Sequence, residues 1–215
     1  MNNLLYKEFR LALHPTAYIF MALSAMLLIP DYPYYVTFFY SGLAIFFICL
    51  NGRENHDVSY TMNLPVRKKD IVAARFLLVV LLQLFQVILA IPCAIIRQHF
   101  PLPGNQVGMD ANIAFFGLAY IMMGLFNLVF FGLYYKNVEK VGKAFGFASV
   151  AMGLYMAVME TLTHALPFFR DRLDTPEPEY LPEKLIVLAI GILLYGMMTW
   201  LVYRRSVKSF ENLDL

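Results

Sequence analysis

The residues whose types could do chemistry lie between Asn51 and Phe76, in the run NGRENHDVSYTMNLPVRKKDIVAARF. Metal binding is the first chemistry to weigh. Glu54, His56 and Asp57 are close neighbours with ligand-type side chains, but their spacing matches no zinc pattern, and a solvated loop is the simpler reading. Nucleotide binding is the second. No G-x-x-x-x-G-K-[ST] phosphate loop is present; Gly142-Lys143 is followed by Ala144 at the start of an apolar run. Ion coupling is the third, and it calls for ionisable groups deep inside apolar segments. Glu160 is the one acid well inside such a run. Counted from Ala144 it lies about 24 Å along a helix, near the far surface, where an interfacial carboxylate is the plain reading and a gating group the sharper one. His99 and His164 fall near that same surface. No H-E-x-x-H or G-x-S-x-G motif occurs. No catalytic, metal-binding or cofactor-binding residue is therefore expected in this chain, nor a nucleic-acid partner.

The elements that would carry this loop are apolar. Hydrophobic residues make up 60% of the 215 and charged residues 15%, against about half and a quarter in soluble domains. The charges gather in short islands between apolar runs. That pattern predicts an all-α integral membrane protein forming one domain over 1–215. Six spans are expected, at about 17–30, 34–50, 71–96, 113–135, 144–166 and 185–203, with a polar loop at 51–70. The first is short, and no cleavable signal peptide is evident. The runs lack the dyad alternation of a barrel. Cys49 and Cys93 sit inside apolar runs and read as small apolar side chains.

Charge sets an expected orientation. Lys7, Arg10, Arg53, Arg67, Lys68, Lys69, Arg75, Lys136, Lys140, Lys143, Arg204, Arg205 and Lys208 fall on one side. Arg97, Arg170, Arg172 and Lys184 fall on the other. The positive-inside rule then puts both termini in the cytoplasm. Leu4–His14 is expected to be an interfacial helix, with Leu5, Phe9 and Leu13 toward lipid and Lys7, Arg10 and His14 toward head groups. The outer stretch TPEPEYLPE is expected to run extended.

Local signals refine the loop and the spans. Asn55 or Asp57 could cap a short helix ending at Met62. Pro65 excludes Leu64 from the helical region, and a helix restarting near Val66 becomes the third span. Arg67, Lys68, Lys69 and Arg75 would then meet the anionic inner leaflet, with Leu64 and Pro65 as the hinge. Gly142, Gly146, Ser149 and Gly153 line one face of the fifth span. They suit packing within one subunit, or a seam to a second copy or a pathway. Met152 and Met156 form a neighbouring stripe. Gln83, Gln86 and Asn127 need hydrogen-bond partners in lipid, most simply each other's helices.

The run ENHDVSYTMNLPVRKKDIVAARF resembles the cytoplasmic loop and third-span entry of small ABC-2 type permeases, the membrane subunits of ATP-binding-cassette exporters. The matching residues are Glu54, Leu64-Pro65-Val66, Lys68, Ile71-Val72 and Arg75-Phe76. Arg67 stands where a small hydroxyl residue is common, and Asn63 where Ser is common. Leu4-Leu5-Tyr6-Lys7-Glu8 also looks like the start of such chains. The similarity extends to permeases of bacterial exporters for amphipathic or antimicrobial peptides, such as the phenol-soluble modulin exporter. It implies export of amphipathic or hydrophobic peptides, or lipid-like drugs, across a bacterial plasma membrane. It also implies a second permease copy, identical or closely related, within a lipid bilayer. Separate ATPase subunits would hold the ATP and magnesium. Glu54, Asn55, Asp57, Val58, Tyr60, Thr61 and Met62 would couple to them. Two rival classes are a non-transporting sensor or immunity protein for antimicrobial peptides, and an ion-coupled carrier.

Overall fold

The computed structural model describes residues 2–99 and 105–212. Among them every regular element is helical. Five helices are long and apolar enough to cross a membrane: α3 (Tyr35–Glu54), α5 (Lys68–His99), α6 (Ile113–Tyr134), α7 (Val141–Ala165) and α8 (Leu181–Glu211). The last five expected spans are thus present, most of them longer than predicted. At 1.5 Å per residue α5 and α8 each exceed about 45 Å, so their ends reach past a hydrocarbon core of about 30 Å.

The first expected span departs from prediction. It is α2 (Thr16–Ala22) continued by a 3₁₀ segment, Leu23–Leu28. A sixth crossing exists only if this piece is joined to the N-terminal helix across an 81° bend. The bend falls at His14-Pro15. Pro15 cannot donate a backbone hydrogen bond, so a continuous helix cannot form through it.

The N-terminal helix α1 (Asn2–Lys7) widens into a π-helical turn over Glu8–Ala12. Its buried face is Leu4, Glu8 and Ala12, whereas Tyr6, Phe9 and Leu11 are exposed. Phe9 thus faces outward, and the inward stripe contains a carboxylate, Glu8, that the expected faces did not include. The short helix α4 (Asp57–Met62) follows α3 after two residues.

The bundle is centred on α6, which packs most extensively on α8 and next on α7. Close approach of α6 and α8 is set by glycines. A Cβ on Gly117 would lie 2.6 Å from the Val187 carbonyl oxygen, and a Cβ on Gly191 would overlap the Gly117 backbone. Small residues at helix contacts allow this in a bilayer, where dispersion rather than hydrophobicity drives association. Halfway along, Gln83 of α5 and Asn127 of α6 exchange two amide hydrogen bonds of 2.9 Å. Asn127 also donates to Thr199 at 3.1 Å, and the Tyr195 hydroxyl donates to Gln83 at 2.8 Å. Gln86 donates to Ser24 at 2.8 Å. These amides join helices as expected.

The end away from the basic loops is tied by its own connections. Asn112 caps α6, accepting from the Phe115 N–H at 3.0 Å and donating to the Leu173 carbonyl at 2.7 Å. Lys184, fully buried, donates to the Thr175 carbonyl at 2.6 Å. The expected extended stretch is instead a turn over 177–180 containing a cis Glu177–Pro178 bond. Asp174 accepts from the Asp110 N–H at 2.7 Å.

Burial pushes the Asp174 carboxyl up to about 6, and the nearby Asp110 carboxylate adds to this. The Asp110 N–H bond, His164 and Lys184 oppose it. The folded state therefore holds a proton more tightly than the unfolded chain. Stability gained by protonation falls away as pH rises from the ordinary aspartate range through about 6. Asp174→Asn is expected to remove an increment on the order of 1–2 kcal/mol between pH 7 and pH 5. The check is the difference in melting temperature between wild type and variant across that interval.

Candidate functional site

The polar loop acquires its geometry from three separate segments. Arg75 lies two turns into α5, 4% exposed, and faces Glu8, which is 1% exposed. The Arg75 Nε pairs with Glu8 Oε2, and its Nη2 lies 2.8 Å from Asp57 Oδ2 and 3.4 Å from Glu8 Oε1. The Lys7 Nζ completes the ring. It lies 2.8 Å from Glu8 Oε1, 2.9 Å from Asp57 Oδ1 and 3.3 Å from Thr61 Oγ1. Two cations and two carboxylates thus form a closed quartet. It joins the N-terminal helix, α4 and α5 against α3, whose Cys49 Sγ is 3.9 Å from Arg75.

The local sequence explains each position. The π-helical turn starts at Glu8 and directs its carboxylate inward. Positive φ at His56 (51°) turns the chain sharply out of α3 into α4. Asp57 then opens α4 with its carboxylate aimed back at the bundle. This corrects the capping role: α4 has no side-chain cap, and Asp57 instead accepts from Lys7 and Arg75. Thr61, one turn later, bonds the Asp57 carbonyl at 2.7 Å. Asn63 ends α4 ahead of Pro65, as the proline requires.

Burial alone would raise the Asp57 carboxyl, but Arg75 and Lys7 outweigh it and hold the group below the ordinary aspartate range. Its contribution to folding is complete at neutral pH and is lost only as pH falls through that lowered value. Charges desolvated this far are stable only while all are paired. The quartet therefore ties α4 to the N-terminal helix and α5 by ion pairs.

The other predicted residues fall into distinct groups. Glu54 is the last residue of α3 rather than part of the short helix, and pairs with Arg53 at the surface. Glu54, Asn55 and Tyr60 are exposed, with Tyr60 at 66%. Val58 and Met62 pack against the core and Thr61 is buried. Leu64 and Pro65 are exposed, and Arg67 pairs with Asp70 at 2.8 Å. Lys68 bonds the Glu211 carbonyl at 3.1 Å, and Lys69 is exposed. Arg75 is no headgroup anchor; it is buried in the quartet.

On α7, Gly142, Gly146 and Gly153 have nothing within 4 Å of an added Cβ. They do not serve packing inside this subunit. Ser149, on the same stripe, has a shielded Oγ with no hydrogen-bond partner among the described residues. Met152 is buried and Met156 partly so. Glu160 packs over Gly108. Sequence reasoning missed Glu8 as the partner of Arg75 and Lys7 as the partner of Asp57. The available signal was the i, i+4 stripe Leu4, Glu8, Ala12.

A family model described as ABC-2 family transporter protein matches residues 3–211, nearly the whole chain. This chain belongs to the ABC-2 transporter family. It is a multi-pass membrane subunit of an ATP-binding-cassette transporter, and membership implies an ATPase subunit as partner. No curated protein matches the chain, and no solved structure does. In this permease the quartet sits where the loop after α3, the first long helix, meets the bundle.

Proposed function

We propose that the permease is the membrane half of an ATP-driven exporter in which α4 receives the push of the ATPase and the quartet passes it on. The observation that carries this reading is the closed ring of Lys7, Glu8, Asp57 and Arg75. It makes α4, which carries the exposed Tyr60, mechanically continuous with α1 and α5. Both termini lie in the cytoplasm, with the basic loops inside a bacterial plasma membrane. Tyr60 and the Glu54–His56 corner form the docking face. An exposed aromatic ringed by polar residues has the composition of a contact centre. ATP and magnesium stay on the ATPase.

A second copy packs along α7. The support is its open small-residue stripe, where a Cβ added at Gly142, Gly146 or Gly153 meets nothing within 4 Å. The substrate class, amphipathic or hydrophobic peptides or lipid-like drugs moved outward, rests on the resemblance to peptide-exporting permeases.

The test is co-purification with the ATPase co-expressed with the permease. Wild type is expected to retain it through detergent extraction. Tyr60→Ala is expected to reduce recovery by about tenfold, the effect of losing one anchoring aromatic. Unchanged recovery with Tyr60→Ala would place the docking face elsewhere, and no association in wild type would remove the reading altogether.

A further inference from the structure

One helix face of α8 changes character along its length in the order of a phospholipid. Leu193 and Met197 are 71% and 52% exposed, Trp200 follows at 59%, and Arg204 and Lys208 continue the same stripe into the basic end. The spacings of four, three, four and four keep these side chains on one face. From Leu193 to Lys208 is about 22 Å of helix, close to one leaflet of a bilayer about 40–45 Å thick with its head groups.

The basic end of this stripe is grooved. A cavity of about 860 Å³ lies between the start of α5 and the end of α8, walled by Lys69, Trp200, Tyr203, Arg204 and Lys208. A second, of about 350 Å³, shares Arg205 and Lys208 with the first and adds Lys136. Among the described residues none of these five cations enters a salt bridge. Glu211 is the one carboxylate on the larger groove. Elsewhere at this end Lys7, Arg53, Arg67 and Arg75 each have a carboxylate. Trp200 and Tyr203 lie with ring centroids 5.7 Å apart, tilted by 38°, beside the groove, at the level where amphipathic rings seek the interface.

We infer that this face of α8 is a binding site for an anionic phospholipid. Its phosphate sits among Arg204, Arg205 and Lys208, with Lys69 closing the α5 side, and its acyl chains run over Trp200, Met197 and Leu193. Charge complementarity commits the site to an anionic head group, and the apolar stripe commits it to a lipid rather than a free anion. The inference needs only that α8 spans a bilayer and stands independently of the export reading. A lipid bound there would bridge the start of α5 to the end of α8, next to the hinge that follows α4.

Trp200 is the single tryptophan, so its fluorescence reports the site alone. The permease is reconstituted in phosphatidylcholine vesicles carrying a minor fraction of brominated-chain phosphatidylglycerol, or the same fraction of brominated phosphatidylcholine. Quenching by the anionic lipid is expected to correspond to a local enrichment of about fivefold over its bulk fraction. The variant R205Q/K208Q is expected to bring quenching down to the phosphatidylcholine level. R205K/K208R keeps the charges and is expected to keep the enrichment. Equal quenching by both lipids in wild type would overturn the inference, as would an enrichment that survives R205Q/K208Q. Loss of the enrichment on adding millimolar inorganic phosphate at constant ionic strength would assign the groove to free phosphate instead, and would equally overturn it.

Discussion

Replacing Arg75 with methionine is expected to destabilise the permease by about 3–5 kcal/mol, the cost of removing one member of a buried ion pair. The methionine fills much of the volume. The loss is electrostatic: Glu8 is 1% exposed and its carboxylate would keep only Lys7, which Asp57 also needs. The sign of a second change discriminates this account from simple packing loss. Adding Glu8→Gln to Arg75→Met leaves a balanced Lys7–Asp57 pair, so the double variant is expected to recover most of the lost stability. Thermal denaturation in detergent measures both. A double variant no more stable than Arg75→Met would contradict a charge-matched quartet.

Gly191→Ala is expected to cost about 3 kcal/mol or more, at the upper end for overpacking. The added methyl would overlap the backbone of Gly117. Backbone cannot rotate away as a side chain can, so α6 and α8 must separate. That separation would also lengthen the bond from Asn127 to Thr199 and the bond from Tyr195 to Gln83. Gly146→Ala is the control, because nothing lies within 4 Å of its added Cβ. The same melting assay should show no loss for Gly146→Ala.

The contrast between these glycines shows what could be read from the chain. Gly142, Gly146 and Gly153 announce a small-residue face by spacing, but whether a neighbour occupies it depends on the fold. Gly117, Gly124 and Gly191 carry the tight α6–α8 contact, yet stand seven apart or alone and gave no local pattern. The membrane class, the five long helices and the break at Pro65 were legible because lipid and proline impose them locally. Gln83 and Asn127 were legible as bonded amides because lipid leaves them no other partner.

The quartet was only half legible. Asp57 and Arg75 stood out as charges, but each read locally as solvent-facing, one a cap and the other a headgroup anchor. Their burial depends on Lys7 and Glu8, about fifty and seventy residues away in sequence. The first span misled for a related reason: its composition suits a crossing, but Pro15 and the 3₁₀ segment shorten it. The TPEPEYLPE stretch reads as extended from its prolines, but forms a turn where Lys184 and Glu177 bond the neighbouring backbone.

The central claim is that force entering at α4 reaches the bundle through the quartet. It is tested most directly by ATP hydrolysis in the purified permease–ATPase complex with Asp57→Asn. Asparagine keeps the shape and the Thr61 contact to the backbone but removes one carboxylate charge from the joint. Isolating the assembled complex ensures that only folded permease is assayed. The account predicts that the complex still forms and that hydrolysis per complex changes by roughly fivefold, as for other residues that carry coupling without touching ligand. Hydrolysis at the wild-type rate in an intact Asp57→Asn complex would contradict it.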